Sequence, residues 1–333
     1  MRASKSLPLL LRPWPLSAAI LAVLLAAPWA HGAAVAGLYE ATVTGDASDA
    51  SKSAEEALRQ VAVKLTGRRS AGSDPALGAL YGDARRYVQT LRSAGAGQVT
   101  VSFDPNALDA ALVQAGQPLW SRERPSTLVL LLSTRAGGTP MLAAPDSSER
   151  RAMEQAAGDR GLPLVWPPSS LDAAGHALEQ AGPQRDAALL DFAHRNRAES
   201  VLLGRMSGNE IIWSALGPGA GATLGGDPAQ VVNQLADHYA QTMATSASAG
   251  ITTSAVIISG ISDLKAYAAT LAYLSALSDV RSVAVDETNA DTVRYSVSFR
   301  GDSAALERAL RLGGQLAADP AAGDAILHFH RLP

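Results

Sequence analysis

The chain reads as a protein of mixed α/β and α+β class, divided into several domains behind a leader. Residues 1–32 have the pattern of a signal peptide, apolar runs of strand length alternate with helix-period stretches, and residues 251–333 spell the order βαββαβ. The expected layout is a signal peptide at 1–32, a small N-terminal α+β domain at 33–122, a central three-layer α/β unit at 123–250 and a βαββαβ module at 251–333.

The leader comes first. Arg2, Lys5 and Arg12 make a basic start, residues 16–27 (LSAAILAVLLAA) an uncharged apolar core, and Pro28-Trp29 break it. Ala30 and Gly32 satisfy the small-x-small rule for cleavage before Ala33, and Gly32 with Ala34 offers a second register. An uncleaved membrane anchor would need an apolar helix of about 18–20 residues, and Pro13, Pro15 and Pro28 shorten the usable run below that.

In the first domain, residues 38–44 (LYEATVT) alternate like a half-buried strand, and Gly45-Asp46 is a turn signal. A helix is expected over 50–65, with Ala54, Ala57, Leu58, Val61, Ala62 and Leu65 on one face and Gly67 closing it. Short helical segments follow Asp74-Pro75 and surround Tyr87. Residues 98–103 read as a strand, and Asp104-Pro105 supplies an N-cap and an N1 proline for a helix over 106–115.

In the central unit, residues 127–133 (TLVLLLS) form a continuous apolar run suited to a strand buried on both faces. Helices are expected over 148–158, 185–196 and 228–246, and strands over 162–166, 199–206 and 210–214, giving a mainly parallel sheet. In the last module the expected strands are 254–259, 280–286, 292–300 and 325–329, and the helices 262–277 and 303–312. That is the split βαβ order of ferredoxin-like domains, a fold that licenses no chemistry by itself. Val101-Ser102-Phe103 before DPNALDAAL is echoed by Val297-Ser298-Phe299 before RGDSAALERAL, either as convergence on a strand-to-helix junction or as a duplicated module.

Removing the leader leaves 25 basic against 31 acidic residues, a net charge of −6. A mildly acidic chain without a basic cluster of footprint size argues against a nucleic-acid partner. The absence of cysteine excludes disulfides, thiolate catalysis, cysteine-ligated zinc and a lipidated cysteine. No second apolar stretch of membrane length follows the leader, so no transmembrane segment is expected in the mature chain.

From Leu38 to Leu132 the order of LYEATVTGDASDAS, EEALRQVAVKLTGRR, DARRYVQTLR, VTVSFDPNALDAALVQAGQPLW and Arg124-Pro125 leading into TLVLLLS resembles an exported proteobacterial family catalogued as domain of unknown function 2066. That resemblance implies export to the Gram-negative periplasm and a mixed α/β make-up, and it carries no catalytic residue.

Candidate chemistry is sparse. Ser262 and Lys265 fit an S-x-x-K spacing without its companion motifs, and Ser262 reads as a helix N-cap. His328 and His330 share one face of the last strand and need a third ligand such as Asp324 to hold a metal; His176 with Glu179 and Asp191 with His194 read as helical surface pairs. Arg68, Arg69, Arg85 and Arg86 are the densest basic cluster, with Tyr87 and Trp120 nearby. They are the candidate interaction face, or else arginines at a helix end beside core aromatics.

The function expected is that of an exported, non-catalytic periplasmic protein that binds protein or glycan partners of the envelope and needs no cofactor. The alternatives are a periplasmic hydrolase with a dispersed serine or carboxylate site, and a small-ligand-binding protein with a cleft beside the C-terminal module.

Overall fold

The computed structural model describes residues 35, 37–45, 49–133, 141–167, 178, 182–208, 210–319 and 326–332. The leader, His176, Glu179 and Asp324 lie outside the described residues. The chain is mixed α/β, with three sheets and eight α-helices among the described residues.

The first sheet has β1 (Glu40–Thr44), β2 (Val88–Gly95) and β3 (Gln98–Phe103) in the order β1-β3-β2, all antiparallel. Between β1 and β2 run α1 (Ala50–Thr66) and the short α2 (Gly78–Gly82), and α3 (Pro105–Gln114) follows β3. Helix α1 buries all six apolar residues of its expected stripe, and Ala41, Val43, Val99, Val101 and Phe103 face it from the sheet. Asp49 caps α1 by accepting from the Lys52 amide, and Asp104 caps α3 by accepting from Ala107. Burying Leu58 or Leu108 contributes about 1.5–3 kcal/mol each by area. Strand β2 escapes the sequence pattern because VQTLRSAG is an edge strand whose residues are mostly exposed, so it has no buried face to impose alternation.

The second sheet is built on β4 (Thr127–Ser133). Strands β6 (Leu164–Val165) and β7 (Ser200–Ser207) run parallel to it, while β5 (Met141–Leu142) and β8 (Glu210–Leu216, paired with β7) are antiparallel. Strand β4 is buried on both faces. Val129 and Leu131 pack with α4 (Ser148–Arg160) and α6 (Pro228–Met243), whereas Leu128, Leu130 and Leu132 pack with α5 (Gly182–Arg195). This explains why its sequence is continuously apolar.

The third sheet has the order β10-β11-β9-β13-β12, from β9 (Ile251–Ser259), β10 (Val280–Asn289), β11 (Thr292–Arg300), β12 (Leu316–Ala318) and β13 (Leu327–Arg331). Helices α7 (Leu264–Ala276) and α8 (Ser303–Leu312) bury Leu274, Leu306 and Leu310 against Val256, Ile258, Tyr295 and Val297. The closing strand departs from the expected βαββαβ arrangement. Strand β13 inserts next to β9 and runs parallel to it, and the three-residue β12 forms the edge beyond. The cap of α7 also differs: Asp263, one residue past Ser262, accepts from the Ala266 amide.

The first and third sheets repeat one another well beyond the VSF echo. Each is a strand, helix, hairpin and helix, with the third strand between the other two. The hairpins carry their register shifts at matching places: Val88/Thr90 and Ser93/Gly95 in one, Val280/Ser282 and Val285/Glu287 in the other. Phe103 pairs with Val88 as Phe299 does with Val280, and the Asp104 amide bonds to the Tyr87 carbonyl as Arg300 does to Asp279. The helices correspond from their caps, Asp104 and Asp302, to the buried Leu108/Leu306 and Leu112/Leu310. A capped strand-to-helix junction alone would not reproduce two bulges five residues apart. The second copy carries two extra residues before its cap, Arg300 and Gly301, the latter at φ +115°.

Candidate functional site at the three-way seam

The described residues belong to one compact unit, and residues 119–124 (LWSRER) tie its three sheets together. Leu119 exchanges backbone hydrogen bonds with Thr245 beyond α6, and the Trp120 amide donates to the Leu65 carbonyl at the end of α1. The Arg122 amide donates to Ser278 Oγ, just after α7, at 3.0 Å. One short strap therefore touches all three units.

Arginines complete the joint. Arg124 is 2 % exposed and lies 3.8 Å over the Trp120 ring. Its five N–H groups go to the carbonyls of Ser121, Trp120, Lys64, Arg160 and Gly161, at 2.7–3.2 Å. Lys64, Arg160 and Gly161 lie at the C-terminal ends of α1 and α4, where carbonyls lack helical partners and carry the negative end of the dipole. Burial lowers the Arg124 pKa, but five filled donor positions require the protonated form. Arg160, equally buried, donates to the Gly67 carbonyl and to Asp237, at 2.7 and 2.6 Å, pinning α1 to α6.

A second knot joins the strap to the first sheet. The Tyr39 hydroxyl donates to Asp109 at 2.8 Å and accepts from Arg122 Nε at 3.0 Å, while Arg122 Nη2 reaches Asp109 at 3.1 Å. Burial raises the Asp109 pKa, opposed by the hydrogen bonds from Tyr39 and Arg122, and burial likewise raises that of Tyr39. A small cavity beside this knot is lined by Tyr39, Asp109, Trp120 and Asp279.

A second opening, a shallow cleft, lies between the strap, the end of α6 and the third sheet with α8. Its polar groups are already ordered. Asp279 Oδ1 accepts from Arg300 Nη2 at 2.7 Å and from Nε at 3.2 Å, while its Oδ2 accepts from Thr245 at 2.9 Å. Glu123 Oε2 accepts from the Ser121 and Ser278 hydroxyls. Apolar side chains such as Met243, Leu306 and Leu312 line the rest. Among the described residues lining it there is no histidine to take a proton from either serine.

The residues singled out from sequence scatter around this seam. Arg68 donates to Gln117 at 2.6 Å and to Asp74 at 3.2 Å; Arg69 joins Asp237 at 3.2 Å, beside Arg160. Arg86 meets the exposed Asp83, and Arg85 is exposed with no ion pair among the described residues. Tyr87 packs half-buried on the first core, and Trp120, 2 % exposed, belongs to the second. His328 and His330 pair across to Ile257 and Ser259, with His330 Nδ1 3.1 Å from Ser259 Oγ. No group of three metal-ligating side chains occurs among the described residues. The sequence pattern did not single out Arg122, Arg124, Arg160 or Arg300; two arginines within 119–124 were the available signal for the first pair, and Arg160 and Arg300 had none.

Residues 33–121 match the family model described as Domain of unknown function (DUF8605). The resemblance to domain of unknown function 2066 is thereby corrected, since the match is to a different family. The quoted motifs are strand, turn, capped helix and hairpin signals, which any module with this element order needs, so they do not separate one family from another. The match spans the first sheet and ends inside the strap. No curated protein and no solved structure matched the chain. No helix among the described residues is long and apolar enough to cross a membrane.

Proposed function

We propose that this chain is a non-catalytic, exported protein of the bacterial envelope that works by binding, and that the seam cleft is its ligand site. The cleft carries the reading. Its carboxylates are held by fixed donors and its walls are apolar, the combination of a few placed polar groups with an apolar lining that ligand sites use. Export rests on the leader pattern of residues 1–32, which also supports a periplasmic location. A small ligand is favoured over a protein or glycan on the arginine face, because Arg68 and Arg69 spend their donors within the molecule.

A hydrolase is the second reading, supported by Glu123 of the cleft accepting from the hydroxyls of Ser121, which lines it, and Ser278, which lines the smaller cavity beside it. The test uses the chain exported with its own leader and purified from the periplasm. A metabolite panel should contain compounds that raise the melting temperature of the wild type and have no effect on Ala309→Phe, which fills the cleft. Ester, glycan or peptidoglycan turnover that disappears in Glu123→Gln would sink the non-catalytic reading. Intact mass of the same sample reports whether the chain begins at Ala33.

A further inference from the structure

Each of the three sheets ends in open strand edges, and an open edge invites pairing with another chain unless it is short, bulged or already engaged. All but one carry such a guard. Strands β2 and β10 each have two register shifts along them, and β5, β6 and β12 are only two or three residues long. On the five-residue β1 the Phe103 amide donates to the Tyr39 carbonyl, which turns Glu40 outward; there the Glu40 carbonyl accepts from Lys64 Nζ at 2.9 Å and its amide donates to Gly37. Strand β8 has no such device.

Strand β8 pairs with β7 without a shift, from Leu216 opposite Val201 to Glu210 opposite Ser207. A hairpin whose last pair is separated by two residues closes on a hydrogen-bonded pair. Glu210, Ile212, Ser214 and Leu216 therefore bond to β7, and the amides and carbonyls of Ile211, Trp213 and Ala215 point away from it. None of these outward groups has a hydrogen-bond partner among the described residues. Ile212 sits mid-strand and is 66 % exposed, with exposed Glu210 and Ser214 on either side of it on the same face. Arg205, across from Ile212 on β7, is exposed too. Arg205 and Glu210 are the only charged residues of the two strands, and neither has an ion pair among the described residues.

We propose that two copies of this chain pair antiparallel along β8, about a two-fold axis through Ile212, and so make one continuous sheet. The sequence EIIWSAL is self-complementary in that register. Ile212 meets Ile212 of the other copy at a non-hydrogen-bonded position, where side chains stand closest, while Ile211 faces Trp213 and the Glu210 carboxylate faces the Ser214 hydroxyl. The outward amides and carbonyls of Ile211 and Trp213 fall opposite one another and form the new ladder. Centring the axis on Trp213 sets Ile212 against Ser214 and Glu210 against Leu216, which loses both matches. That self-match, and not exposure alone, selects a second copy as the occupant. No like charges come face to face, and the interface closes at two copies. It shares no residue with the lining of the seam cleft, so its fate and that of the ligand site are independent.

The test uses the exported, purified chain. Sedimentation velocity from about 1 to 100 μM should show a reversible monomer–dimer equilibrium, weakened at least about tenfold by Ile212→Lys, which sets like charges opposite each other at the axis. Because Ile212 is exposed, that variant should keep the circular dichroism spectrum of the wild type. The chain has no cysteine, so single cysteines report the register. Facing residues at a non-hydrogen-bonded position stand about 4.5 Å apart between Cα atoms, within disulfide reach, so Ile212→Cys should form a covalent dimer on mild oxidation. Ser214→Cys lies out of register with its own copy and should not. A wild type that stays monomeric throughout overturns the proposal, including the case in which β8 takes up a strand of another protein instead. A dimer indifferent to Ile212→Lys overturns it as well, and so does Ser214→Cys crosslinking as readily as Ile212→Cys.

Discussion

Replacing Arg124 by Met and, separately, by Lys tests whether the seam depends on a guanidinium's geometry or merely on its charge. Arg124 spends five N–H donors on five backbone carbonyls. At about 1.5 kcal/mol for each bond to a charged group, losing them removes roughly 7 kcal/mol. Methionine also relieves the desolvation of a fully buried cation, a term of several kcal/mol, so the net loss should be about 3–5 kcal/mol. Lysine keeps that desolvation cost and offers three donors in the wrong geometry. Arg124→Lys should therefore be at least as destabilising as Arg124→Met. Urea unfolding followed by far-ultraviolet circular dichroism gives both values from the shift in midpoint at constant slope. A lysine variant clearly more stable than the methionine one would refute the argument, because attraction of a positive charge to the helix ends would then outweigh the fork. A methionine variant within about 0.5 kcal/mol of wild type would refute the seam itself.

Three other substitutions probe the neighbouring contacts. Gly161 sits at φ +63°, and a Cβ there would come 2.7 Å from Arg124 Nη1 and press on Leu38, so Gly161→Ala should cost about 2–4 kcal/mol in the same unfolding measurement. Tyr39→Phe removes the hydroxyl shared by Asp109 and Arg122 and should cost about 1–3 kcal/mol, with hydrogen exchange quickening first at the strap amides. Burial raises the Glu199 pKa, against the hydrogen bond from the Ser126 amide. Between the unfolded and the raised folded value the native state holds more protons, so stability falls as pH rises through that window. Glu199→Gln mimics the protonated form. It should exceed wild type in stability at pH 7 and lose that advantage below about pH 4, the ordinary carboxyl range, in melting curves at the two pH values.

The elements that declared themselves did so through local chemistry. The stripe of α1 is six residues at helical spacing, the cap of α3 is an Asp-Pro pair, and β4 is an apolar run bounded by polar residues. Strand β2 and the three-residue β12 stayed hidden because edge strands have little buried surface to pattern them. Ser262 and Asp263 are both competent caps; which one ends the loop depends on where β9 delivers the chain to α7, and Asp263 holds the position. The VSF echo was visible, but its extent was not, since matched bulges are relations between strands.

The seam was the least legible part. Arg124 bonds to carbonyls at Lys64 and Gly161, and a carbonyl acceptor leaves no residue-type trace to search for. Arg300 and Asp279 are 21 residues apart, and Thr245 is a further 34 residues before Asp279, with no periodicity linking them. From the sequence alone follow the mixed α/β class, the absence of thiol chemistry, most helices with their apolar faces, and the strands with a buried face, because capping, periodicity and burial act over a few residues. Tertiary structure decided the insertion of β13 beside β9, the strap that joins three sheets, and the cleft with its Asp279–Arg300 pair. Each of these depends on which distant backbone groups meet, and packing alone determines that.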